Sequence, residues 1–164
     1  MDINQEVERL RQISMFAKVD ISKLKLLAFT SQLLTCKPGE VLIKVNDPSD
    51  CVYLVMDGEL EILSKTTCGR EQSIIRQRGD LIGEIAVISK TRRTASVRAV
   101  TEAKVLRIEA DAFIDMMTKN SDVALDVMRQ LSDKLAQAIQ TNESLQARLA
   151  ELKNEKCSET GHEC

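Results

Sequence analysis

Ile82-Gly83-Glu84-Ile85-Ala86-Val87-Ile88, a polar hinge Ser89-Lys90-Thr91, then Arg92-Arg93-Thr94-Ala95-Ser96-Val97-Arg98-Ala99: the rest of the chain is read outward from this stretch. Gly83 has no Cβ, so its backbone can approach another group closely. The residues after it suit a short helical turn, whose first amides lack intrahelical partners and favour an anion, a phosphate above all. Further on, Arg93 supplies a guanidinium that can pair two oxygens at once, with Arg92 and Arg98 as spare charge nearby. Glu84 lies between Gly83 and these arginines. A carboxylate is poorly suited to a phosphate but well suited to a hydroxyl donor such as a sugar.

Gly83-Glu84-Ile85-Ala86 and Arg93-Thr94-Ala95-Ser96-Val97 resemble the two halves of the phosphate-binding cassette of the cyclic-nucleotide-binding domain family, Gly-Glu-x-Ala and Arg-x-Ala-Ser/Thr-Val. The resemblance implies cyclic AMP or cyclic GMP as ligand and no cofactor. It assigns Glu84 to the ribose 2′-hydroxyl and Arg93 to the cyclic phosphate, with backbone around Gly83, Ile85, Ala86 and Ala95 lining the same pocket. Arg92–Ala99 is similar to the segment in cyclic-nucleotide-gated channels, which implies that the Thr94 hydroxyl accepts from the guanine 2-amino group. Ile74 and Arg76, on one face of the preceding strand, would wall the base. The competing reading is a scaffold of the same fold in which Glu84 and Arg93 form an internal ion pair.

At 164 residues, with 43% hydrophobic and 29% charged side chains, the chain is long enough for one globular domain and a modest extension. A formal net charge of −2 gives no electrostatic reason for nucleic acid as a partner. No apolar run reaches the roughly 20 residues that span a bilayer, and the polar start Met1–Glu6 is not a secretory signal. Five cysteines, at positions 36, 51, 68, 157 and 164, form an odd, scattered set that reads as reduced thiols in a cytoplasmic protein. The single histidine, His162, sits in the tail, so no His-based triad is expected in the folded body and an enzyme is not expected. Cys157, His162 and Cys164 are too few for a structural metal, and no metal site is expected.

Apolar residues at Val7, Leu10 and Ile13, then Leu24, Leu27 and Ala28, predict helices over residues 4–34, interrupted at Asp20-Ile21-Ser22, where Asp20 or Ser22 would cap the second. Met15–Val19 resembles the segment with a leading Phe that opens this family's domain. After Lys37-Pro38-Gly39-Glu40 the period changes to two, and short strands are predicted at Val41–Val45, Cys51–Met56, Glu59–Leu63, Glu71–Arg76, Ala95–Val100 and Ala103–Ile108. Asp57-Gly58 between two of them reads as a two-residue hairpin, and Thr67-Cys68-Gly69-Arg70 as another turn. Where the family has a glycine after the first strand this chain has Asn46, a residue that tolerates the left-handed conformation. The fold class is α+β: with the resemblance, an eight-stranded antiparallel β-roll, jelly-roll-like, with N-terminal helices and a long C-terminal helix.

Ala110–Lys119 predicts a helix with Phe113, Met116 and Met117 on its apolar side, and Asn120-Ser121-Asp122 offers a cap for a helix running to about Lys156. Along it Met128, Leu131, Leu135, Ala138, Asn142, Leu145, Leu149 and Leu152 follow the a/d heptad pattern of a coiled coil, with Asn142 at an a position. A homodimer through this helix is expected. The expected organisation is a binding domain over 1–140, a coiled-coil extension over 141–156 and a polar tail over 157–164. Family members that regulate transcription add a DNA-binding module after this helix; the tail is too short for one, so neither DNA nor membrane is an expected partner. Ligand would draw the last helices toward the pocket and alter what they present to an unknown effector protein.

Overall fold

The computed structural model describes residues 2–65 and 71–160, in two compact units, Met1–Val127 and Met128–Cys164. The first begins with α1 (Ile3–Arg11), where the Asp2 carboxylate accepts from the Asn4 amide at 3.0 Å and so satisfies one of the helix's free donors. A 3-10 turn at Ser14–Phe16 buries Met15 and Phe16, the segment singled out by its leading Phe. In α2 (Ile21–Thr30) the N-cap is Asp20, although its side chain makes no capping bond. Val7, Leu10, Leu24, Leu27 and Ala28 are all buried, as the helical spacing requires, and Ile13, in extended backbone between α1 and the 3-10 turn, is buried too.

Eight strands follow among the described residues: β1 (Gln32–Cys36), β2 (Val41–Ile43), β3 (Cys51–Asp57), β4 (Leu60–Lys65), β5 (Glu71–Arg76), β6 (Leu81–Ile82), β7 (Ser96–Ala99) and β8 (Ala103–Glu109). They form two four-stranded sheets of order β1-β8-β3-β6 and β2-β7-β4-β5, with every pairing antiparallel. A short helix α3 (Glu84–Ser89) joins β6 to β7. The expected α+β roll is the observed architecture.

Between the sheets lie Cys36, Ile43, Cys51, Tyr53, Val55, Leu60, Ile82, Val97, Ala99, Ala103 and Val105 in one apolar cluster. Cys51, Tyr53 and Val55 alternate along β3, as one face of a strand must. Their neighbours Val52 and Leu54 are also buried, so β3 is covered on both faces. That is why its sequence is a continuous apolar run rather than an alternating one. α4 (Ala110–Lys119) closes this unit as predicted, with Phe113 buried and a cavity floor shared by Phe16, Leu81, Ile108 and Met116.

Three expectations need correction. The helical expectation over residues 4–34 fails at its end: β1 starts at Gln32 and pairs with β8 from Gln32↔Arg107 to Cys36↔Ala103. Its run Leu33-Leu34 is too short to separate the two periods. Asp57-Gly58 is not a hairpin, because β3 and β4 belong to different sheets. The chain instead crosses between layers there, and the crossing is docked by Val100 N–H donating to Glu59 O at 2.9 Å and Glu59 N–H donating to Thr101 Oγ1 at 3.1 Å. The hairpin in this region is β4–β5, paired from Leu60↔Arg76 to Lys65↔Glu71; the expected turn at residues 67–70 lies outside the described residues. Finally, Cys36 and Cys51 are free thiols, but Cys157 is disulfide-bonded. An odd count excludes complete pairing, not a single bridge. Cys68, His162 and Cys164 lie outside the described residues.

α5 is one helix of 40 residues, Ser121–Thr160. Val123 and Val127, in its first turns, are buried within the first unit. In the second unit Met128, Leu135, Ile139, Leu145, Leu149 and Leu152 are exposed. Among the described residues, no helix is long and apolar enough to cross a membrane, and no three His, Cys, Asp or Glu side chains are grouped to hold a metal.

Candidate functional site

Gly83 is the N-cap of α3 and has φ +85°, a left-handed conformation that side chains resist. A second constraint acts on it. A Cβ built there would lie 2.1 Å from Arg93 Nη1. That guanidinium is buried, at 4% exposure, and donates from Nη1 to Gly83 O at 3.1 Å and from Nη2 to Cys51 O at 2.6 Å. The Cys51 Sγ is a further acceptor at 3.5 Å. Burying a cation is expensive unless acceptors replace water, and here main-chain carbonyls do so. Glu84, next to Gly83, is 2% exposed, so the two ionisable side chains assigned by the cassette motif are the two buried charged residues among the described ones.

The backbone of the cassette is held by the loop between β2 and β3. Asn46 N–H donates to Arg93 O at 2.8 Å, and Arg93 N–H donates to Asp47 O at 3.0 Å. Asn46 has φ +71°, the left-handed conformation anticipated for it. Arg92 Nη1 donates to Asn46 O at 3.0 Å. The Ser49 hydroxyl lies against both Ala86 O, at 3.3 Å, and Thr91 O, while Thr91 N–H donates to Ala86 O at 3.0 Å. One residue further, Asp50 O accepts from Ala110 N at 3.0 Å, at the start of α4. Cassette and α4 are thus tied to adjacent residues of one loop.

Sequence reasoning missed this frame. Cys51 read only as part of an apolar strand, and Ser49 only as loop. Acceptance by a main-chain carbonyl leaves no trace in residue type. Arg98, counted as spare charge, is spent elsewhere: on β7 it donates from Nε to Glu61 Oε1 at 2.8 Å, on the β4 residue directly opposite. Ala86 is buried, Ala95 half-buried, Thr94 exposed, and Ile85 is 49% exposed. Ile74, also exposed, sits opposite Ile62, which is itself opposite Val97. This row shares the sheet face of Ile62, which packs on the core. Arg76 follows on the same face, opposite Leu60, and its Nε is buried with no bonding partner.

Next to Arg93's acceptor, burial raises the Cys51 thiol pKa, and burial together with the Cys51 hydrogen bond pushes the Tyr53 phenol up to about 12. Concavity alone does not select the cassette: a cavity of about 380 Å³ lies between α2 and α4, lined by Leu26, Leu27, Thr30 and Met116 among others. The chemistry of Gly83, Glu84 and Arg93 distinguishes the cassette.

The family model described as cyclic nucleotide-binding domain matches residues 33–120, more than half of the chain and all of the cassette. The chain belongs to the cyclic nucleotide-binding domain family. Within that family's reach, a cAMP-dependent protein kinase regulatory subunit of Emericella nidulans is 42% identical over 76 residues, 46% of this chain. The chain spans only 18% of that relative's length. Of solved structures, the regulatory domain of Toxoplasma gondii PKA with cAMP superposes with TM-score 0.68 at 21% identity, over 82% of this chain and 50% of that one. The regulatory subunit of a cAMP-independent protein kinase A from Trypanosoma brucei gives TM-score 0.68 at 20% identity, over 80% of this chain and 47% of that one. One cyclic nucleotide-binding domain fold therefore serves a cAMP complex and a cAMP-independent protein equally well. Fold does not choose the ligand; side chains do.

Proposed function

We propose that this domain is a cytoplasmic, non-enzymatic sensor that binds cyclic AMP or cyclic GMP in the cassette and signals through its C-terminal helix. The observation that carries the reading is the buried Arg93 guanidinium held beside Gly83, next to the buried Glu84. Arg93 takes the cyclic phosphate through a charge-assisted pair. Glu84 accepts from the ribose 2′-hydroxyl, and backbone around Ile85, Ala86 and Ala95 lines the pocket. Ile74 walls the base, and the exposed Thr94 hydroxyl favours guanine by accepting from its 2-amino group.

Signalling requires that ligand bind two helix arrangements unequally. The Ser49–Asp50 loop, bonded both to the cassette and to the first residue of α4, supports such coupling. The exposed heptad side chains Leu135, Leu145, Leu149 and Leu152 support a homodimer through residues 141–156 and the turns before them. A second reading, a non-binding scaffold of this fold, is favoured by the carbonyl acceptors that already satisfy Arg93.

Calorimetric titration separates the two. Wild type is expected to bind cyclic AMP or cyclic GMP, and Arg93→Ala to lose about 100-fold in affinity, roughly 3 kcal/mol, with its thermal transition retained. Glu84→Gln should weaken the ribonucleotide about tenfold while leaving the 2′-deoxy analogue nearly unchanged. Absence of wild-type binding at millimolar nucleotide would assign the chain to the scaffold reading.

A further inference from the structure

Outside the cassette, three cations from three separate elements converge on one cavity. Arg9 from the last turn of α1, Arg78 from the turn between β5 and β6, and Lys104 from β8 line a space of about 350 Å³ with Gln12, Met56 and Asp57. Gln12 aims one of them: its Oε1 accepts from Arg78 Nη2 at 2.9 Å. Lys104 is fixed by register, opposite Thr35 of β1 and Asp57 of β3. An adjoining cavity of about 130 Å³ shares Arg9, Met56 and Lys104 and adds Gln5, Glu6 and Leu33. Among the described residues no carboxylate lies within ion-pair distance of Arg9, Arg78 or Lys104, although Glu6, three residues before Arg9 on α1, feels the Arg9 charge.

Helix and strand periodicity do not produce this cluster, because its members lie far apart in sequence and meet only in the fold. Like charges gathered round a concave surface repel one another, and their field there attracts an anion. Two guanidinium forks and an ammonium match the oxygens of a phosphate. The volume falls in the range of small-molecule pockets, about 300–1,000 Å³, and exceeds what a bare phosphate would fill. Asp57 would repel a second anion but can accept from a hydroxyl, and the Gln12 amide can donate to one.

We infer a second ligand site at this cavity, for a small phosphate ester that carries hydroxyl groups. It shares no residue with the cassette. Cys51, which holds Arg93, and Asp57, which lines this cavity, lie at opposite ends of β3, about 20 Å apart at the usual strand rise.

The test uses the full chain with Arg93→Ala, so that the cassette arginine cannot contribute, and ribose 5-phosphate as probe. Calorimetry is expected to show binding that weakens at least tenfold on adding either Arg9→Glu or Arg78→Glu, and amide resonances of Gln12 and Lys104 are expected to shift on titration. Both substituted side chains are exposed, so the thermal transition should stay near its starting value. Free ribose should not bind. No binding at millimolar ribose 5-phosphate, or binding indifferent to both charge reversals, overturns the site. A glutamate-rich peptide that binds more tightly than ribose 5-phosphate would also overturn it, assigning the patch to a protein partner. In the Arg93 wild-type background, Arg9→Glu and Arg78→Glu should leave cyclic-nucleotide titration unchanged.

Discussion

Gly83 and Arg93 act as one unit, because the space a Gly83 side chain would fill is already taken by the guanidinium. The obstacle to Gly83→Ala is the end of a flexible side chain, so the fold can yield, at a cost of about 1–3 kcal/mol for the left-handed backbone. Arg93 must then leave its place. The expected outcome is a domain that melts cooperatively but has lost most affinity for cyclic nucleotide, read by melting and titration together. Tyr53 gives a second residue-scale prediction. Its phenol is pushed up to about 12, so between an unfolded value near 10 and that folded value the native state holds the proton that the unfolded chain has lost. Stability from this group is complete below the lower value and declines as pH rises through the higher one. Tyr53→Phe should flatten the alkaline fall in stability over this window by on the order of 2 kcal/mol, measured as chemical denaturation of wild type against variant.

Among the elements, the passage from β3 to β4 shows how a local signal can be right about a turn and wrong about a pairing. Gly58 has φ +78°, as a glycine turn should, yet the strands it joins lie in different layers. What makes glycine necessary is the approach of the chain where it enters β8: a Cβ would lie 2.3 Å from Glu102 O and 2.8 Å from Ala103 Cα. These are backbone atoms and cannot step aside. Gly58→Ala should therefore destabilise by about 2–4 kcal/mol, more than Gly83→Ala, while cyclic-nucleotide affinity of the folded fraction stays close to wild type. Equal melting temperatures for the two variants would contradict the distinction.

For the whole molecule, the question is what the exposed seam of α5 meets. Met128, Leu135, Leu145, Leu149 and Leu152 are each about half exposed or more, an arrangement that favours association with a second copy. Asn142, at an a position, would then be buried between chains and satisfied only by its counterpart in one register. Asn142→Leu is expected to raise thermal stability by about 1–2 kcal/mol and to admit trimers or antiparallel pairs. Sedimentation equilibrium decides the point. A monomeric wild type well above micromolar concentration would remove the dimer.

The sequence by itself determined the fold class, most of the elements and the family motif of the cassette. Helical spacing placed Leu10, Leu24 and Phe113 in the core, period-two runs located most strands, and the motif around Gly83, Glu84 and Arg93 singled out the proposed site, because each signal lies within a short stretch of chain. Only the tertiary structure decided which strands share a sheet, that Gln32–Cys36 is a strand, and that Arg93 is steadied by Cys51 from the far side of the chain. It also brought Arg9, Arg78 and Lys104 to one cavity. The physical reason is common to all four. Periodicity reports which face of an element is apolar, whereas pairing and convergence depend on contacts between distant segments, often through main-chain groups that every residue carries.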